Sequence, residues 1–152
     1  MDIRQMNKDN VRSRLIELAA AELDGAKAAY AEHLQASKPV EDQATVVDDQ
    51  AQAWSQAELA EDLEKMLRAA EAKVATLDAL DFGPKKFVEP GAIVTASGRH
   101  FVIGVSMDHF TCEGIDLIGL SPLAPFYQAI EGLEKSDTSE FGGHTVKIEE
   151  II

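Results

Sequence analysis

The sequence predicts an α+β chain: an antiparallel coiled-coil helical hairpin over residues 1–80, then a small antiparallel sheet domain with one helix over residues 81–152. Three observations predict it. Only Gly25 of the ten glycines precedes residue 80, while most alanines do; alanine is the best helix former and glycine among the worst. Two long apolar stripes fill the first half. Short apolar runs punctuated by turn residues fill the second. A length of 152 residues suffices for a real core but not for two large lobes.

The first helix is expected from about Asn10 to Ala36, with Asp9 or Asn10 as its cap. Val11, Leu15, Leu18, Ala26, Tyr30 and Leu34 recur mostly at three- and four-residue steps, with Leu23 bridging them. Ser37-Lys38-Pro39 ends the helix, since proline disfavours helix at the residue before it. In the second helix Leu59, Leu63, Met66, Ala70, Val74 and Leu77 approach a heptad seam, and Trp54 and Val47 extend it toward the break. Glu61 and Lys65 stand in the favourable i,i+4 order. About thirty residues per arm at 1.5 Å each predict a projecting rod of roughly 45 Å.

Phe82-Gly83-Pro84 breaks the helical half and Glu89-Pro90-Gly91 forms a turn. Ile93–Ala96 reads as a strand, Ser97-Gly98-Arg99 as a tight turn, Phe101–Met107 as a second strand and Ile115–Leu120 as a third. Ser121 as cap and Pro122 as first residue open a helix with apolar positions Leu123, Phe126, Ile130 and Leu133. Gly142-Gly143 is a hairpin turn, and Val146, Ile148 and Ile151 lie on a final strand.

The balance of 14 Lys+Arg against 27 Asp+Glu gives a net charge of −13. That argues against a free-standing nucleic-acid binder, which needs clustered cations, and favours a basic protein partner. A single cysteine, Cys112, excludes an internal disulfide and a cysteine-based zinc cluster. No run of eighteen apolar residues exists and the N-terminal segment has no signal-like apolar stretch, so the expected address is the cytoplasm, with no membrane. No Walker motif, dinucleotide fingerprint, HExxH or G-x-S-x-G is present. Cys112 near Asp108-His109 reads as a small buried cysteine rather than a nucleophile. The four histidines are scattered. Glu41, Asp42, Asp48 and Asp49 gather at the bend of the hairpin. Acids favour a helix N-terminus for dipole reasons alone. Carboxylates delivered to a site that another molecule completes would also suit a hard cation such as Mg²⁺.

The tail carries a resemblance. Ser121-Pro122-Leu123-Ala124, then Ala129-Ile130-Glu131-Gly132, then Lys135-Ser136-Asp137-Thr138, then Gly143-His144-Thr145-Val146-Lys147-Ile148-Glu149-Glu150-Ile151 resemble the tail of the bacterial GreA/GreB transcript cleavage factors. The Gly91-Ala92-x-Val94 strand start and the preceding hairpin fit the same pattern, so the resemblance covers nearly the whole chain. It implies an FKBP-like C-terminal domain that binds RNA polymerase, with the Ser121–Pro122 loop on a coiled-coil rim. It implies a hairpin that enters the secondary channel, where tip acids help hold a catalytic Mg²⁺ shared with the polymerase and not held by the free protein. The polymerase then cleaves its own backtracked transcript, so the chain is not itself an enzyme. The family tip reads D-x-x-E-N-A-E-Y; the segment Val46-Val47-Asp48-Asp49-Gln50-Ala51-Gln52-Ala53 aligns with it. Asp49 matches the second acid, one methylene shorter, and Val46 stands at the first. Asp48 and Asp49 are the candidate metal ligands, with Asp42 a third candidate for the catalytic role. Two alternatives stand beside this reading: a non-cleaving polymerase-binding regulator, and an unrelated protein–protein interaction module. Prolyl isomerase activity ranks below both, because a fold does not carry a function. The chain is expected to act as a monomer and to meet nucleic acid only within the polymerase complex.

Overall fold

The computed structural model describes residues 2–36 and 47–152, with side chains over 2–35 and 55–152. A single 3-10 turn at Ile3–Gln5 precedes two long helices, α1 (Lys8–Ala36) and α2 (Val47–Ala79). Six strands and a short helix follow: β1 (Ile93–Ala96), β2 (Arg99–Ile103), β3 (Met107–Cys112), β4 (Ile115–Leu120), α3 (Pro125–Ile130), β5 (Thr138–Phe141) and β6 (His144–Ile151). The expected class, a helical hairpin ahead of a sheet with one helix, is the one found. The chain forms two compact units: Met1–Ile16 with Thr76–Ile152, and Glu17–Ala75.

In the helical unit the seam is thin. Ala19 and Ala70 are its buried apolar residues among those described. Leu18, Leu23, Ala26 and Tyr30 of α1 are half-buried, as are Ala60, Leu63, Leu67 and Val74 of α2. The α2 seam therefore steps 60, 63, 67, 70, 74 in strict 3-4 alternation, the spacing that keeps one stripe facing a partner helix. The sequence reading put Leu59 and Met66 in this seam; they are 49% and 59% exposed. Its choice of Tyr30 is half-buried, whereas Leu34 is exposed, with His33 half-buried beside it. Lys73 reaches Glu22 on the other helix at 2.8 Å. Among the described residues the i,i+4 ion pair that forms on α2 is Glu64–Arg68 at 2.7 Å, not Glu61–Lys65.

In the sheet unit α1 opens at Lys8 rather than Asn10, because Asn7 is the cap. The Asp9 N–H donates to Asn7 Oδ1 at 2.9 Å, which satisfies one of the donors a helix start leaves open. Glu113, from the β3–β4 turn, accepts from the Asn7 N–H and from Asn10 Nδ2, both at 3.0 Å. The strand order is β3-β4-β2-β1-β6-β5. Four pairings are antiparallel and one, β2 with β4, is parallel. The parallel pair exists because the single strand expected over Phe101–Met107 is two strands. The chain leaves β2 at Gly104, whose N–H donates to Leu120 O at 2.9 Å, and returns as β3 outside β4. A Cβ at Gly104 would lie 2.5 Å from Leu80 Cδ2. Strand β5, whose bounds the sequence did not give, is the partner that the expected hairpin requires; it pairs with β6 across the Gly142-Gly143 turn, where both glycines have positive φ.

All four residues of β1 are buried, so the sheet is covered on both faces there. Val94 and Ala96 join a cluster with Phe101, Ile103, Leu120, Tyr127, Ile130 and Ile148. Ile93 points the other way by the two-residue period of a strand. Ile3, Met6, Val11, Leu15 and Leu77 are buried in the same unit outside that cluster.

Candidate functional site

The Ser121–Ala124 segment links β4 to α3. Its geometry differs from the sequence reading, which made Ser121 the helix cap and Pro122 the first helical residue. The helix starts at Pro125, with Ala124 in extended conformation as its cap and no side-chain cap bond. A proline pushes the residue before it out of the helical region and needs no N–H partner itself, so Pro125 takes the first position and Ala124 cannot be helical. Ser121 does something else. Its Oγ accepts from the Leu123 N–H at 3.1 Å, and its carbonyl accepts from the Ala124 N–H at 3.0 Å. These two bonds fold 121–124 into a tight turn that turns Leu123 outward, 84% exposed. Leu123 is thus no core position of α3. Leu133, also expected on the helix, lies beyond its end in the turn after Gly132.

An aromatic ladder supports this segment from behind. Phe126 packs on Phe101 with ring centroids 5.1 Å apart and meets Phe141 edge-on at 5.3 Å. Ser139 Oγ donates to Ala129 O at 2.7 Å and ties β5 to α3. Sequence reasoning missed Phe141. Its signal was present: an aromatic directly before a two-glycine hairpin turn.

The acids predicted for the hairpin bend are placed as follows. Asp48 and Asp49 stand in the first turn of α2. Their side chains lie outside the described residues, and so do Glu41 and Asp42 entirely. Among the described residues no three His, Cys, Asp or Glu side chains come together as a metal-holding group.

Burial, then the neighbouring Glu113 carboxylate, push the Cys112 thiol above its ordinary value, the opposite of what a nucleophile needs. His100 Nδ1 is 2.8 Å from the hydroxyl of the buried Thr95, which satisfies that hydroxyl within the sheet. Lys8, a residue no motif marked, is half-buried. Its Nζ donates to Gly83 O at 2.8 Å and Ile152 O at 3.0 Å. No described helix is long and apolar enough to cross a membrane.

No protein-family model matches the chain, and no curated protein matches it. Among solved structures it is similar to GreA factor homolog 1 (Gfh1) of Thermus thermophilus, at 14% identity over 97% of this chain and 96% of that one, with a TM-score of 0.36. It is similar to Thermus aquaticus Gfh1 at 14% identity over 92% and 90%, with a TM-score of 0.33. Likeness at this level carries no functional argument.

Proposed function

We propose that this chain is a Gre-like transcription elongation factor. It binds RNA polymerase through the sheet unit, with Ser121 and Pro122 in the contact, and inserts its hairpin into the secondary channel. One observation carries the reading. The Ser-Pro-Leu-Ala segment that resembles the family's tail is an ordered, outward-facing turn on a sheet domain that follows a two-helix hairpin. A turn whose hydroxyl is engaged by its own backbone and whose leucine faces water suits a protein contact better than a place in the core.

Under this reading Asp48 and Asp49, with Asp42, are the acids the hairpin delivers. Carboxylate oxygens suit Mg²⁺, and one or two suffice when the polymerase supplies the remaining ligands. The factor lends charge and the polymerase owns the reaction. Val46 at the position of the family's first tip acid favours a second reading, in which the factor occupies the channel without cleavage.

Purified chain mixed with a stalled, backtracked elongation complex of bacterial RNA polymerase tests both. Co-migration on gel filtration is expected. Shortened transcript that disappears with Asp49→Ala establishes cleavage, whereas bound factor over intact RNA establishes the non-cleaving regulator. No co-migration at micromolar concentrations overturns the proposal and returns the chain to the class of other interaction modules.

A further inference from the structure

The parallel pair of the sheet stays open at the end where β2 and β4 begin. Its ladder runs from Phe101–Ile118 to Ile103–Leu120 and stops short of Arg99 and Asp116, which the same register would set opposite each other. The gap is a cleft of about 450 Å³, lined by Arg99 of β2, His109 of β3, and Asp116 and Ile118 of β4. Gly98 and Gly114, each at positive φ in the turn before its strand, complete the lining. A cleft of this size holds a small ligand.

The polar groups of the cleft come from one face of the sheet. Phe101 and Ile118 are ladder partners that belong to the α3-side core or pack against it. The two-residue period of a strand puts Arg99 and Asp116 on that face with them. β3 is irregular between Met107 and Phe110, the stretch that carries His109, and such irregularities re-aim side chains. His100 also borders the cleft, but its Nδ1 is engaged by the Thr95 hydroxyl. Arg99 and Asp116 are both exposed, and among the described residues neither forms an ion pair. Asp116 is nonetheless held in place. The Thr111 hydroxyl donates to its Oδ1 at 2.8 Å, which leaves Oδ2 for another donor. A cation and an anion thus line one gap without meeting. Exposed ion pairs are worth little, so a ligand that carries both charges displaces no strong contact.

We infer that this cleft binds a small zwitterion, an α-amino acid with an aliphatic side chain. The Arg99 guanidinium donates two parallel N–H bonds to the carboxylate, as its planar fork allows. A ring N–H of His109 adds a third. The ammonium group donates to Asp116 Oδ2. Half-buried Ile118 offers apolar surface to the side chain. An anion alone would meet the Asp116 carboxylate, and a cation alone the Arg99 guanidinium, so the lining discriminates against both. The cleft uses none of the residues of the Ser121–Pro122 turn or the hairpin acids, and the inference does not rest on the proposed function.

The test titrates the full, ¹⁵N-labelled chain with L-leucine at neutral pH and follows the backbone amides by NMR. Shifts are expected at Gly98, Arg99, Gly114 and Asp116, with a dissociation constant of about a millimolar or below, ordinary for so small a ligand. Arg99→Gln and Asp116→Asn are each expected to weaken binding about tenfold, the loss that follows when one charge-assisted bond is removed. Both side chains stand in water, and unchanged amide spectra away from the cleft show that the variants fold. Leucinamide, which lacks the carboxylate, and N-acetyl-leucine, which lacks the ammonium group, are expected to bind about tenfold more weakly than leucine by the same reasoning. No shift at about 20 mM leucine, far above a millimolar constant, overturns the inference. Binding that both variants leave unchanged overturns it as well. Inorganic phosphate that binds more tightly than leucine, and more tightly still to Asp116→Asn, overturns it in favour of a site for anions alone.

Discussion

Lys8 joins three stretches of chain with one ammonium. It sits in the first turn of α1 and donates to carbonyls of the segment after α2 and of Ile152 beside β1. Burial, then the nearby Lys85 ammonium, push it down to about 8 from 10.5, against the smaller pull of Asp81 and Glu89. The sign of its linkage follows. Below about pH 8 Lys8 is charged in the folded and unfolded states alike, and the folded state bears the full penalty of the half-buried charge. Between about 8 and 10.5 the unfolded state binds more protons, so this group makes stability rise with pH. Above both values the difference is constant. Lys8→Met removes the titration. The melting temperature of wild type minus that of Lys8→Met is therefore expected to climb from pH 8 to pH 10. A difference that stays flat or falls over that range would show that the two carbonyl bonds hold the ammonium charged. Nothing in the sequence marked Lys8, because its role depends on residues 75 and 144 positions away.

At the scale of the element, α2 contains two candidate stripes one residue apart, and only packing against α1 decides between them. Leu67 lies in the seam and Met66 beside it, on the wall of a groove with Gly25, Ala26 and Ala29. Leu67→Ala is expected to destabilise the helical unit by about 1–2 kcal/mol, below the 2–5 typical of a fully buried leucine because Leu67 is only half-buried. Met66→Ala is expected to change stability by less than about 0.5 kcal/mol, its lost contacts offset by alanine's helix propensity. Helical circular dichroism on heating distinguishes them, and equal effects would return Met66 to the seam. The error in the sequence reading has a physical source. It took 59, 63, 66 and 70, which step by 4, 3 and 4, whereas the buried stripe 60, 63, 67 and 70 steps by 3, 4 and 3, so spacing alone does not separate the two. Strands read from local turn signals came through well: Ile93–Ala96, Ile115–Leu120 and the Gly142-Gly143 hairpin are all present. The split at Gly104 did not, since the Gly104 N–H bonds to Leu120 O on β4, a pairing that no local signal shows. At the site, the Ser121–Pro122 segment was legible as a motif, but its geometry was not, because Pro125 rather than Pro122 sets the start of α3.

Across the whole molecule the two units differ in what holds them. The sheet unit buries Ile93, Ile103, Leu117, Ile130 and Ile148 almost completely, and its strands share backbone ladders. The helical unit, Glu17–Ala75, buries only Ala19 and Ala70 among its described residues. It also holds thirteen acids against five bases, a net charge of −8, while the rest of the chain holds fourteen against nine, a net charge of −5. Little apolar burial and strong like-charge repulsion both lower the free energy of local opening. Native-state hydrogen exchange should therefore find the amides of 17–35 and 55–75 opening well below the global stability, and those of β1, β2 and β6 opening only with it. Salt should narrow the gap, because screening relieves the repulsion in the helical unit, where it is greatest per residue. Raising salt from about 0.05 to 0.5 M is expected to slow exchange in the helices severalfold and to leave the central strands nearly unchanged. Helices that exchange as slowly as β1 at low salt would mean that the Ala19–Ala70 seam alone outweighs the charge. A uniform salt response along the chain would mean that the repulsion is not confined to the helical unit.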